Sequence, residues 1–190
     1  MSVVIYTDLD GTLLDHHDYS YSAALPALEK LAQQNIPVVP VSSKTRAEIE
    51  PLRKSLSLST PFIVENGAAV FIPLNESFNQ IEDDSLQVMN GYRVKAFSPS
   101  IVYWHSVVEE LSLHVIDAFT AFSQLSVDDV VDLTGLTHDQ ASKACRREFS
   151  DPLYWYGNES QFRQLQDLCQ QLGIDFVCRI AVRTAGFGRD

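Results

Sequence analysis

Three short apolar runs alternate with helical patterns over the first third of this 190-residue chain, and this alternation restricts the fold more than any other feature. The runs are Val3 to Thr7, Pro37 to Val41 and Phe62 to Val64. Each is too short for a helix, whereas the leucines between the first two recur at helical spacing. Thr45 and Glu48 predict a capped helix after the second run, which Pro51 must kink or restart. Strands separated by helices predict a doubly wound α/β fold around a parallel sheet.

Composition and charge exclude several classes of protein. With 45% hydrophobic and 21% charged residues, the chain can bury a core and is expected to be globular. Its net charge of -11 repels nucleic acids and anionic membranes, so neither is expected as a partner. The sequence has no run of 18 apolar residues and no basic leader, which predicts a cytoplasmic protein. Its cysteines form no CxxC pair, and no pattern indicates an oligomeric state.

Polar residues follow each of the three predicted strands, at the end where ligands bind in sheets of this class. Asp8, Ser42 and Glu65 stand just past successive strands and are expected to meet at one site. Asp8 and Asp10 form an acidic pair in which one carboxylate can attack phosphorus while the other transfers a proton. A divalent cation would offset their charge, and Gly11 lets the backbone turn sharply. The alternative is that the two acids only cap a turn.

Five segments resemble known sequence motifs. DLDGTLL at Asp8 to Leu14 resembles the opening motif of the haloacid dehalogenase superfamily of phosphatases and phosphotransferases. DHHDYS at Asp15 to Ser20, VSSKT at Val41 to Thr45 and ENGAAV at Glu65 to Val70 are similar to the mannosyl-3-phosphoglycerate phosphatase family. LTGLTHDQASKACRREFSDP at Leu133 to Pro152 resembles the cap-domain signature of that family.

The resemblance implies an architecture and a mechanism. It implies a haloacid dehalogenase-like sheet with an inserted α+β cap: residues 1–80 as the first part of the core, 81–178 as the cap and 179–190 as a divergent tail. It makes Asp8 the nucleophile that forms an aspartyl-phosphate and Asp10 the general acid and base. Mg2+ would lie between Asp8 and the backbone carbonyl of Asp10.

The resemblance assigns Ser42 to the phosphoryl group, and the chemistry of the neighbouring residues suggests further contacts with the substrate. Ser42, Ser43 and Lys44 would bind the phosphoryl group, although either serine can instead cap a helix and the lysine can be solvated. Asn66 would hydrogen-bond a substrate hydroxyl, or simply satisfy a turn.

Two arginines and three aromatic residues in the predicted cap have alternative interpretations. Arg146 or Arg147 could bind a glycerate carboxylate through a bidentate ion pair, or could stabilise the end of a helix. Trp104, Trp155 and Tyr156 could stack on a sugar, but we expect them to form the interior of the cap.

The motifs expected after the cap are missing from this sequence. The superfamily's later lysine and acidic pair have no counterpart, since the last lysine is Lys143, and a frameshift or early stop is one hypothesis for the tail. The first expectation is therefore a Mg2+-dependent phosphatase of a small phosphorylated sugar-glycerate, mannosyl-3-phosphoglycerate, with low activity or none. The alternatives are a related sugar-phosphate phosphatase and a non-catalytic remnant that binds a phosphorylated ligand or nothing.

Overall fold

The structure is a computed structural model that describes residues 3–15, 19–74 and 83–174. The elements in chain order are β1 (Ile5–Thr7), α1 (Leu25–Gln33), β2 (Val38–Pro40), α2 (Arg46–Ser55), β3 (Phe62–Val64), β4 (Ala69–Pro73), β5 (Gln87–Met89), β6 (Tyr92–Ala96), α3 (Ile101–His114), β7 (Phe119–Ala121), α4 (Val127–Thr134), α5 (His138–Ala144), β8 (Leu153–Trp155) and α6 (Glu159–Gln171). The predicted boundary at residue 80 and the predicted tail lie outside the described residues, so the division into core and cap stays a prediction.

The three predicted strands form with the predicted parallel orientation. β1 pairs with β2 in a parallel register that matches Thr7 with Pro40. A single parallel bridge between Val41 and Ile63 then connects the end of β2 to β3. The short apolar runs therefore align side by side, with their carboxyl ends at the same edge.

Beyond β3 the sheet continues in antiparallel fashion, which the sequence had not predicted. The order is β3-β4-β6-β5, so β5 and β6 join the same sheet as β3. Tyr92 and Phe71 pack edge to face with ring centroids 5.6 Å apart, which fastens β6 to β4.

Local sequence sets the start of α2. Thr45 accepts a hydrogen bond from the backbone of Glu48, whose side chain bonds back to the Thr45 N–H, so the predicted capping box is confirmed. Pro51 lies inside the helix, which runs from Arg46 to Ser55 without a restart. The cap, rather than the proline, decides where the helix begins.

Two hydrophobic clusters hold the described residues together. The first lies around β1 to β6 and contains Leu9, Leu13, Leu14, Leu28, Val38, Ile49, Leu56, Phe62, Val64, Ala69, Phe71, Val94 and Phe149. The second joins α3 and α6 to the β7–β8 pair and contains Val108, Leu111, Val115, Ala118, Phe119, Ala121, Leu165 and Cys169. Phe149 is notable because it belongs to the first cluster although it follows α5 in the predicted cap. No helix of the described residues is long and apolar enough to cross a bilayer.

The three aromatic residues expected inside the cap differ in burial. Trp155 stacks on Phe119, with ring centroids 6.5 Å apart, and packs against the second cluster as predicted. Trp104 is partly buried and donates from Nε1 to Ser98. Tyr156 is 54% exposed, so the prediction was wrong for this residue. Side chains alternate along β8, and Tyr156 continues the outward face of that strand.

Candidate active site

The ends of the three parallel strands are connected by backbone hydrogen bonds. The Ser42 N–H donates to the Ile63 carbonyl at 3.1 Å, and the Asn66 N–H donates to the Ser42 carbonyl at 3.0 Å. The Val41 N–H donates to the Thr7 carbonyl at 2.8 Å, directly before Asp8. The segments that carry the predicted residues therefore meet at one edge of the sheet.

The loop after β1 buries its leucines and exposes its acids. Leu9 is completely buried, and its carbonyl accepts the Leu14 N–H at 2.8 Å, which closes the loop. Gly11 has a φ of +70°, a left-handed conformation that glycine adopts without strain. Asp8 and Asp10 are exposed, and Asp8 Oδ1 accepts the adjacent Leu9 N–H at 2.7 Å. Buried leucines thus fix the backbone while both carboxylates stay accessible.

Lys44 brings a cation to this loop. Its Nζ lies 3.1 Å from Asp10 Oδ1, and its side chain is 18% exposed. The same ammonium lies 5.4 Å from the ring centroid of Tyr19, a cation–π contact that sequence analysis missed. No local pattern indicates this contact, because Tyr19 lies in a polar loop 25 positions before Lys44.

The two predicted serines differ in their surroundings. Ser42 is buried, and its Oγ accepts the Lys44 N–H at 3.2 Å in the turn before α2. Because Oγ is the acceptor in this bond, the bond does not use the hydroxyl hydrogen. Ser43 is exposed. Asn66 is exposed with a φ of +61°, and its backbone forms part of a short 3-10 turn, as the turn interpretation requires.

Glu65 is almost completely buried and binds a distant segment of the chain. We call its contacts with residues 147–150 the Glu65 junction. The carboxylate is 1% exposed and accepts the Glu148 and Phe149 N–H groups at 2.9 and 3.2 Å. It also accepts the Ser150 hydroxyl at 2.6 Å, and Arg147 Nε lies 3.6 Å away. The sequence signal for these contacts is that Glu65 directly follows a buried strand. A carboxylate in such a place needs hydrogen-bonding partners, since unpaired carboxylates are seldom buried.

Arg147 belongs to this junction, whereas Arg146 does not. The Arg147 side chain is 10% exposed, and both Nε and Nη2 donate to Ser150 Oγ, at 3.1 and 2.9 Å. Nη2 also lies 3.4 Å from the Ser43 carbonyl. Burial lowers the pKa of Arg147 and the Glu65 carboxylate opposes that shift, so the guanidinium stays charged. Arg146 is exposed.

A second set of polar contacts strengthens the connection between the start of α2 and the chain at and after the end of α5. Arg46 Nη2 donates to Glu148 at 2.7 Å and Nη1 donates to Glu50 at 3.0 Å. The hydrogen bond with Glu148 raises the pKa of Arg46. The Thr45 hydroxyl lies 2.9 Å from the Lys143 carbonyl oxygen. The loop that holds Ser43 and Lys44 is therefore braced from several directions.

The candidate metal ligands are few. Within residues 3–15, 19–74 and 83–174, no three His, Cys, Asp or Glu side chains gather into a possible metal site. Asp8 and Asp10 offer oxygen ligands, which Mg2+ prefers, and Mg2+ commonly keeps several waters beside one or two carboxylates. The two acids therefore suit a water-rich magnesium site.

Curated proteins similar to this chain are longer than it is. A protein of Persephonella marina named glucosyl-3-phosphoglycerate/mannosyl-3-phosphoglycerate phosphatase is 36% identical over 173 residues, which cover 90% of this chain and 61% of that protein. A protein of the same name from Methanococcoides burtonii is 35% identical over 177 residues, covering 93% of this chain and 64% of that protein. This chain thus spans less than two thirds of either relative.

Solved structures and a family model agree on the fold. A Thermoplasma acidophilum protein aligns with a TM-score of 0.54 at 14% identity, covering 93% of this chain and 61% of that one. A phosphatase of the haloalkanoate enzyme superfamily from Bacteroides thetaiotaomicron aligns with a TM-score of 0.54 at 16% identity, covering 88% and 60%. The predicted haloacid dehalogenase-like α/β fold is confirmed. Because the model for haloacid dehalogenase-like hydrolases matches residues 5–120, more than half of the sequence, the chain belongs to that family.

Proposed function

We propose that this chain carries the nucleophile side of a Mg2+-dependent phosphomonoesterase that releases phosphate from a hexosyl-3-phosphoglycerate. The observation that carries the proposal is the exposed Asp8 and Asp10 pair, held at the end of β1 beside buried Ser42 and beside Lys44. The names of the curated relatives support the substrate class, and they include both glucosyl and mannosyl forms. Mannosyl-3-phosphoglycerate, which would yield mannosylglycerate, is the first substrate to test.

The chemistry divides between the two acids. The Asp8 carboxylate attacks phosphorus, and the bond between phosphorus and the glycerate ester oxygen breaks. Asp10 gives its proton to that oxygen, so the alcohol leaves neutral. Asp10 then takes a proton from water, whose oxygen attacks phosphorus and frees both inorganic phosphate and the Asp8 carboxylate.

The residues around the acids would bind the rest of the substrate. Lys44 already faces a carboxylate at 3.1 Å and would balance phosphoryl charge, with the Ser42 and Ser43 hydroxyls as further donors. Asn66 is exposed beside them and would reach a substrate hydroxyl. We assign the glycerate carboxylate to Arg146, because Arg146 is exposed whereas Nε and Nη2 of Arg147 already donate within the Glu65 junction.

The Asp8 carboxylate and the Asp10 backbone carbonyl are the groups that would hold Mg2+. When bound, it would offset the negative charge of the attacking carboxylate and of the phosphoryl group.

The test is phosphate release from mannosyl-3-phosphoglycerate by residues 1–190, with and without Mg2+. We expect Mg2+-dependent release, abolished by Asp8→Asn and reduced about 100-fold or more by Asp10→Asn. Lys44→Ala should raise KM more than it lowers kcat, because its role is to bind charge. Asp84→Asn, in an exposed turn, is the matched control and should leave release unchanged. Release that survives Asp8→Asn, or none from a chain that circular dichroism shows to be folded, would overturn the proposal.

A further inference from the structure

Tyr19 lies beside the candidate active site and has no role in the chemistry proposed above. The Lys44 ammonium lies 5.4 Å from the centroid of the Tyr19 ring, within the distance of about 6 Å over which an aromatic face attracts a cation. The same ammonium lies 3.1 Å from Asp10 Oδ1. Lys44 is therefore held between a carboxylate and an aromatic ring, at the acidic pair that is proposed to react.

The backbone at Tyr19 has a conformation that bulky residues rarely adopt. Its φ of +57° lies in the left-handed region, where an aromatic residue is strained. The Tyr19 N–H donates to the Asp15 carbonyl at 3.1 Å, and the Asp15 N–H donates to the Ser20 carbonyl at 2.8 Å, so two hydrogen bonds hold this turn. The side chain is 43% exposed, so packing in the core does not account for the strain. Strained residues concentrate at sites that bind or react, which points to a function for the ring.

The contact with the ring restricts where the charge of Lys44 can go. Lysine carries a compact charge on a flexible four-carbon chain, and restricting that chain costs entropy when a ligand binds. The Lys44 side chain is mostly buried, so water screens the attraction between the ammonium and the ring less than it would at an open surface. An ammonium that is already held in place can bind an anion at a lower entropic cost.

An aromatic ring suits this role better than a second carboxylate would. The ring attracts the ammonium through its quadrupole and carries no net charge, so it does not repel an incoming phosphate. The ammonium has three N–H donors, and a ring face does not need to accept a conventional hydrogen bond from any of them to attract the cation. Tyr19 can therefore hold Lys44 while the donors of Lys44 bind oxygen atoms.

We infer that Tyr19 is a positioning residue that holds the Lys44 ammonium where it can bind phosphoryl oxygens. The inference deepens the proposed function and rests on it, because Lys44 is proposed there to balance phosphoryl charge. When phosphate binds, the ammonium exchanges the Asp10 carboxylate for a phosphoryl oxygen while the Tyr19 ring keeps it in place. Asp10 is then released from the ion pair and is accessible for its own step.

The test is a calorimetric titration of inorganic phosphate into residues 1–190 at a constant concentration of Mg2+. Tyr19→Leu should weaken phosphate binding about three- to fivefold, the size expected for a partly exposed cation–π contact. Tyr19→Phe keeps the ring face and should bind phosphate within about twofold of the unchanged chain. In the presence of Lys44→Ala, Tyr19→Leu should have no further effect. Tyr103→Leu, at a tyrosine of α3 that is 44% exposed, is the matched control and should leave the affinity unchanged.

A series of fluorinated phenylalanines at position 19 separates the charge distribution of the ring from its support of the loop. Each added fluorine makes the ring face less negative and hardly changes its shape, so the affinity for phosphate should fall stepwise. A purely structural role would give no such series, and the near-constant shape keeps the test valid even if Tyr19→Leu disturbs the fold. In the phosphatase assay, Tyr19→Leu should raise KM and leave kcat nearly unchanged.

The outcomes distinguish this inference from the proposed function. Phosphate binding that depends on Tyr19, without phosphate release from the ester, would support the inference and contradict the phosphatase proposal. Phosphate release with a KM that Tyr19→Leu does not change would do the reverse. An affinity that ignores the fluorine series, or no phosphate binding by the unchanged chain, would overturn the inference. Loss of binding in Tyr19→Phe would overturn it too, because the hydroxyl rather than the ring would then be required.

Discussion

Three acids stand at the same edge of the sheet in opposite environments. Glu65 is 1% exposed and its oxygens accept two backbone N–H groups and a hydroxyl, with a guanidinium nearby. Asp8 and Asp10 are exposed, and the contacts of their carboxylates are an adjacent N–H for Asp8 and an ammonium for Asp10. A carboxylate whose lone pairs are satisfied by the protein supports structure, whereas an accessible one has capacity left for a metal or a reacting group. The predictions below test this contrast, from the largest expected effect to the smallest.

Replacing Glu65 should have the largest effect on stability. Glu65→Ala leaves Arg147 charged and poorly paired in a buried place, and removes the acceptor of two N–H groups. We expect a loss of about 3 to 5 kcal/mol in the free energy of unfolding, measured by urea denaturation. Glu109→Ala, on the exposed face of α3, is the control and should change little. A loss below about 1 kcal/mol would show that Glu65 contributes no more to stability than an ordinary surface acid.

Replacing the two neighbouring arginines should have different effects on the free energy of unfolding. Arg147→Ala is expected to cost about 2 kcal/mol, because it removes contacts with Glu65 and Ser150, while exposed Arg146→Ala should stay within about 0.5 kcal/mol. A double-mutant cycle with Glu65→Ala should give strong coupling for Arg147. Equal costs for both arginines would contradict the assignment of only one of them to the junction.

Two capping residues sharpen the contrast between buried and exposed polar groups. Thr45 is fully buried and contacts the Lys143 carbonyl as well as its own helix, whereas Ser126 caps α4 at the surface. Thr45→Ala should cost about 2 kcal/mol and Ser126→Ala about 0.5 kcal/mol, the two ends of the usual range for caps. Thermal unfolding of the two variants measures the difference, and the reverse order would contradict it.

Replacing Asp8 should have the smallest effect on stability. Asp8→Asn removes one charge from an exposed side chain and should change the free energy of unfolding by less than about 0.5 kcal/mol. The same variant should abolish phosphate release, so a folded but inactive protein is the expected outcome. A large loss of stability would show that Asp8 supports the loop itself.

The elements set by local sequence were predictable. The first three strands are short apolar runs, and the capping box at Thr45 depends on two residues three positions apart. The alignment of the segments that carry Asp8, Ser42 and Glu65 at one edge of the sheet followed from chain order alone, because parallel strands place their carboxyl ends together. That the Glu65 carboxylate binds residues 147–150 instead of the site did not follow from chain order.

The elements that depend on distant partners were not predictable. β6 pairs with β4 and β5 pairs with β6, so both strands depend on a sheet edge that the local sequence does not reveal. Pro51 suggested a helix boundary, but the capping box at Thr45 outweighed it. Tyr156 was expected in the interior of the cap. Trp155 packs inward instead, and because side chains alternate along a strand, Tyr156 points outward.

The Glu65 junction also has a consequence for the order of folding. Its hydrogen bonds join residues 83 to 85 positions apart, and the contact between Arg147 and Ser43 spans 104. Closing so long a loop costs chain entropy, so the junction should form after the local helices. In native-state hydrogen exchange, the amides of Glu148 and Phe149 would then report the opening of this junction together with the part of the first hydrophobic cluster that contains Phe149. The Glu65 junction would therefore be among the last sets of contacts to form, after the strand ends that it connects to residues 147–150.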